Sequence, residues 1–127
     1  MLYTINTKNS MDSVKNDMEK RAKEHGFGVL KEYHFQELLE SKGFPIEKDI
    51  TVFEVCYPSA AQTILNTYPQ ISVFLPCRIS LYEQDGKTIL STIDIDNIID
   101  NFELDSEMKT YMNTIFDKVK NIIDSWK

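Results

Sequence analysis

Hydrophobic and polar residues recur along this chain with two different periods, and each change of period marks a new element. Leu2–Thr7 mixes β-branched and aromatic residues in near alternation, which predicts an opening strand. Ser10 then supplies a helix N-cap, and Met11, Val14, Met18, Ala22 and His25 recur at steps of three and four. Gly26 ends that helix, because glycine takes a left-handed C-terminal conformation without strain.

A second strand is expected over Phe27–His34, followed by a short helix carrying Phe35, Leu38 and Leu39 that stops at Gly43. Ile50–Cys56 reads as a third strand. Its alternation sets Val52, Glu54 and Cys56 on one face, with Thr51, Phe53 and Val55 on the other. Pro58 suits the first position of a helix running to Thr67, which should bury Ala61, Ile64, Leu65 and Tyr68 before Pro69 stops it.

Ile71–Glu83 is expected to be extended, with Pro76 marking an edge, a bulge or the true start of the strand. Asp85-Gly86 favours a tight hairpin into an antiparallel partner, Lys87–Ile95. The acidic stretch Asp94–Glu103 is either a loop or a single helical turn. The last helix, capped by Asp105 or Ser106, carries Met108, Met112, Ile115, Phe116, Val119, Ile122, Ile123 and Trp126 as a continuous apolar stripe.

The order β-α-β-α-β-α-β-β-α has no glycine-rich phosphate loop, internal repeat or linker. It predicts one α+β domain over residues 1–127, with helices packed on a mainly antiparallel or mixed sheet. A chain of 127 residues is long enough to bury a core of its own. Its net charge of −6, with lysines and arginines interleaved among acids, argues against nucleic acid as a partner. No apolar run approaches the length needed to cross a bilayer and no basic, apolar leader opens the chain, so a cytoplasmic protein without a membrane partner is expected. In that compartment Cys56 and Cys77 are expected as reduced thiols.

Candidate chemistry gathers between Val52 and Glu83. Cys56 lies two residues before Pro58, so its sulfur should stand near a helix N-terminus that favours thiolate, although a strand-ending cysteine is more commonly a buried apolar residue. If the strands ending at Cys56 and opening at Cys77 are neighbours, the two sulfurs share one end of the sheet and a dithiol, a disulfide switch or a two-thiolate site comes within reach. Glu54 needs a partner inside a sheet, and Arg78 is the expected one, as a bidentate pair. Tyr57, Phe74 and Tyr82 are either pocket walls beside Cys56 or core and dimer contacts. His25 and His34 read as capping or surface residues, and neither they nor the cysteines form a metal-ligand pattern.

Four motifs in this order resemble the family catalogued as domain of unknown function 302. They are the opening strand with Thr7-Lys8-Asn9-Ser10, Gly26-Phe27-Gly28-Val29-Leu30, Glu54-Val55-Cys56-Tyr57-Pro58 with Ala61, and Leu75-Pro76-Cys77-Arg78 ahead of Tyr82-Glu83 and Gly86. They cover about residues 1–95 and leave the C-terminal helix, about 105–126, less distinctive. This chain departs from the family pattern at Tyr57, where an Asn is the usual residue, so no role of that amide carries over. The resemblance implies a small α+β domain, often dimeric, with Glu54, Cys56, Pro58, Pro76, Cys77 and Arg78 as the positions of any shared site.

Three functions follow as expectations. The first is a binding or sensor domain, a homodimer, whose site of Glu54, Cys56, Tyr57, Pro58, Cys77 and Arg78 takes a thiol, a sulfur species or a thiolate-bound cofactor such as haem. The second is a non-catalytic dimeric interaction module with buried structural cysteines. The third is a thiol-dependent enzyme using Cys56. The order of preference puts binding first and catalysis last, with no catalytic residue assigned.

Overall fold

A five-stranded sheet carries the molecule, and its strand order decides which of these residues meet. The structure, a computed structural model, describes residues 1–127. Strands β1 (Leu2–Thr7), β2 (Gly28–His34), β3 (Thr51–Cys56), β4 (Cys77–Gln84) and β5 (Lys87–Ile93) lie in the order β1-β5-β4-β3-β2, every neighbouring pair antiparallel. Helices α1 (Met11–Glu24), α3 (Pro58–Thr67) and α5 (Ser106–Asp124) pack on one face, while α2 (Phe35–Ser41) and the single turn α4 (Asp96–Ile99) sit at its ends. The other face carries no helix.

The two long helices form for the reasons their sequences suggest. Ser10 caps α1 by accepting from the Ser13 N–H at 3.1 Å, and Met11, Val14, Met18 and Ala22 are all buried. Asp105 caps α5 by accepting from the Met108 N–H at 2.7 Å; that bond, and a second from the Tyr68 hydroxyl, hold its carboxyl below the usual carboxylate range. Every apolar residue of the expected α5 stripe is buried, down to Trp126. Lys120 of α5 pairs with Asp94 at 3.1 Å and ties the helix to the chain just after β5.

Two turns depend on particular residues. Asp85 and Gly86 both have positive φ, 53° and 76°, as a two-residue hairpin between right-twisted strands requires. Gly26 has φ 87°, and a Cβ there would stand 2.6 Å from the Tyr57 ring, so backbone conformation and lack of space both demand glycine.

Several elements differ from expectation. Ile71–Glu83 is not one extended segment: Pro69–Phe74 forms a 3-10 turn, the Leu75–Pro76 bond is cis, and the strand begins at Cys77. Pro69 does end α3, but its fixed φ also suits a new tight turn, which buries Ile71 completely. In α3 the buried residues are Ala60 and Ile64, four apart on one face, so Ala61 lies off the core, and Leu65 and Tyr68 are only half-buried. Helix α2 buries none of its residues, because it caps the end of β2 rather than covering the sheet. β5 ends at Ile93, and the acidic stretch beyond it makes the single turn α4.

Candidate functional site

Alternation along two adjacent strands builds the site. In β3, Phe53 and Val55 point into the core, which sends Glu54 and Cys56 to the helix-free face. In β4, Cys77, Ile79 and Leu81 are buried against the helices and Arg78 faces the other way. The register pairs Val55 with Cys77 and Glu54 with Arg78. The two short motifs therefore lie directly opposite each other, apolar partners on one side of the sheet and charged partners on the other.

On the helix-free side Glu54 is only 8% exposed, and both its oxygens are used. Oε1 accepts from the Tyr33 hydroxyl at 2.8 Å, and Oε2 pairs with Arg78 Nη2 at 3.2 Å. The expected bidentate fork is thus replaced by two different partners, one from each neighbouring strand. The hydrogen bond to Glu54 raises the Tyr33 pKa above the usual phenol value. Lys31, the register partner of Glu54, holds its Nζ 4.8 Å from the Tyr33 ring centre, and Tyr33 stacks on Phe35 at 6.0 Å.

Tyr33 and Lys31 were not legible as site residues. Which strand lies on the far side of β3 cannot be read from local pattern, and the bulge between Val29 and Lys31 shifts the parity of β2 besides. The remaining signal was weak: two residues of one parity in a strand that returns to the sheet.

The two cysteines do share one end of the sheet, on adjacent strands, but alternation sends them to opposite faces. Both are free. A disulfide needs the Cβ vectors to converge, so bridging them requires the strand end at Cys56 to turn. They stay close enough for charge on Cys56 to oppose charge on Cys77. Burial, together with that effect, pushes the Cys77 thiol up to about 12. Burial raises the Cys56 thiol as well, so the N-terminus of α3 does not turn it into a ready thiolate. Both sulfurs are protonated at neutral pH.

Cys77 walls a cavity of about 60 Å³ at the end of the β4–β5 pair. Phe74 and Pro76 enclose it from the segment before β4, Ile95 from the segment after β5, and Phe116 from α5. Arg78 and Thr92 also line it, and the exposed side chains of Val73 and Ile93 form its rim, so the cavity opens round the end of the sheet towards the helix-free face. The Thr92 hydroxyl donates to the Arg78 carbonyl at 2.8 Å, fixing the two strands there. Ligand pockets for drug-sized molecules run to roughly 300–1,000 Å³, so a haem macrocycle does not enter this space. No three His, Cys, Asp or Glu side chains come together to hold a metal ion.

The other expected site residues lie elsewhere. Tyr57 packs edge-on against Phe27 at 5.4 Å and seals the turn at Gly26, while Pro58 opens α3. Tyr82 stands on the helix-free face beneath Lys48, 5.3 Å from its ring centre. Of the three aromatic residues considered as pocket walls, only Phe74 lines the cavity.

Comparison with known proteins bears on the family and the fold. The family model "Domain of unknown function DUF302" matches residues 3–126, taking in the C-terminal helix as well as the motifs before it. A crystal structure of an uncharacterized conserved DUF302 protein from Bacillus stearothermophilus superposes with a TM-score of 0.89 at 25% identity, covering 99% of this chain and 98% of that one. An uncharacterized protein of Aquifex aeolicus (strain VF5) is 39% identical over 54 residues, a match that spans 42% of this chain and 38% of that protein.

Proposed function

The chain belongs to the DUF302 family, and we propose that within it this protein is a non-catalytic domain that binds a small molecule in the cavity behind Cys77. One observation carries this reading: the PCR motif builds one wall of an apolar cavity instead of filling it. The space is about 60 Å³ and its rim, Val73 and Ile93, is exposed, so it is open to a small guest arriving from solvent. Binding is favoured over thiol catalysis because both thiols are held protonated, and because Glu54 already has a partner on each oxygen. The neutral Cys77 sulfur then serves as a soft, polarisable wall, suited to an apolar or sulfur-bearing guest. Reduced cysteines fit a cytoplasmic setting.

The test is a titration of methyl-labelled protein with small apolar and thioether probes. The Ile95 methyls should shift while those of Ile5, which pairs with Leu90 further along the sheet and outside the lining, stay still. Cys77→Met, which extends the wall into the space, should abolish the response. If no probe of that size moves Ile95, the cavity is not a binding site.

A second reading, a homodimer, draws support from the helix-free face. Leu2 and Ile93 are 64% and 44% exposed there and are register partners, so an apolar pair stands open to solvent beside exposed Met1. A second copy seated on that pair would double the measured mass in sedimentation. A monomer at high concentration would exclude it.

A further inference from the structure

Resting on that reading of the cavity, we propose that its ligand is a small organic anion, with a short apolar tail inside and its charged head on Arg78. The volume of about 60 Å³ has room for roughly four to six groups the size of a water molecule or a methylene. That suits a tail of a few carbons, with or without a sulfur, and little more.

The choice of an anion comes from the one charged residue in the lining. Arg78 contributes to the wall, and its side chain is 56% exposed, so the guanidinium remains open to a ligand arriving from solvent. Its contact with Glu54 runs through Nη2 alone, since the other carboxylate oxygen is taken by Tyr33. A guanidinium carries five N–H donors in a planar fork, so most of its capacity is left for a second partner. A carboxylate or similar oxyanion matches that fork better than any neutral group.

The surroundings point the same way. Near Arg78 the helix-free face also carries Lys31, so two cations stand there against one carboxylate, Glu54. That local excess of positive charge sits on a chain whose formal net charge is −6. The ion pair also has a role under this proposal: Glu54, itself held by Tyr33, orients the guanidinium and partly neutralises it until the ligand arrives.

Pentanoate, pentanamide and acetate separate the parts of the proposal, read from the Ile95 methyl shifts of the whole protein. Charge-assisted hydrogen bonds are roughly twice as strong as neutral ones, so pentanoate should bind about 10-fold or more tighter than the amide. Acetate, with a head but no tail, should bind more weakly than pentanoate. Arg78→Gln should erase the preference for the acid while leaving the affinity for the amide within about twofold, since the apolar burial is unchanged. Glu54→Gln should raise pentanoate affinity by removing the competing carboxylate, and it decides the matter if Arg78→Gln does not fold. Equal binding of acid and amide would overturn the anion and leave the cavity reading standing. Failure of both to shift Ile95 would overturn the cavity reading and this proposal together.

Discussion

Two pairs of residues, one step apart on β3 and β4, face opposite environments. Val55 and Cys77 lie under the helices, where Cys77 walls an apolar cavity; Glu54 and Arg78 are joined as ions on the bare side, and Arg78 also borders that cavity. The difference comes from strand alternation alone. It teaches that the two halves of a short motif can have unrelated physics. On one side the chain excludes charge strongly enough to keep a thiol neutral, and on the other it supports a carboxylate that is nearly buried.

The sharpest way to break this comparison is thiol chemistry. With Cys77 pushed from its ordinary 9.0 up to about 12, its thiolate fraction at neutral pH falls about a thousandfold. Alkylation of native protein should therefore leave Cys77 unmodified while the unfolded chain reacts at the ordinary rate, as mass spectrometry would read directly. The linkage has a definite sign. A pKa raised in the folded state favours folding below the unfolded value, and that contribution disappears as pH rises from 9.0 through about 12. The stability gap between wild type and Cys77→Ala should narrow across that window. A gap independent of pH would mean the thiol is not held neutral.

Deleting atoms from the core side comes next. Val55 is fully buried, and Val55→Ala should cost about 2–3 kcal/mol in denaturant unfolding, from lost transfer energy and the space left behind. On the bare side, Arg78→Ala strips Glu54 of its counter-ion. Arg78 is more than half exposed, so solvent screens the pair, and the expected cost is about 1–2 kcal/mol, below that of a fully buried pair. Tyr33→Phe removes one hydrogen bond to Glu54 and should cost the least of the three, since the phenol is open to solvent. If the order of Val55→Ala and Arg78→Ala is reversed, the charged side is the one that holds β3 to β4.

Much of this was legible in the chain, for reasons that differ by element. The α5 stripe spans five turns, so its buried face was readable to the last residue, and the Asp85-Gly86 hairpin carries its own conformational signature. Glu54 facing Arg78 followed from treating a carboxylate inside a strand as needing a partner. What escaped was set by tertiary pairing. Tyr33 reaches Glu54 only because β2 lies on the far side of β3, and local periodicity holds no information about that neighbour. The 3-10 turn at Pro69–Phe74 escaped because a proline that ends a helix reads equally well as the start of extended chain. That turn places Phe74 in the cavity wall, so missing it concealed the cavity too.

Xenon tests the central claim, a cavity behind Cys77 open to a small apolar guest, with no assumption about the natural ligand. Under xenon pressure the methyls of Ile95 should shift in a saturable way, those of Ile5 should not, and Cys77→Met should silence the response. A wild-type spectrum in which Ile95 moves no more than Ile5 would contradict it.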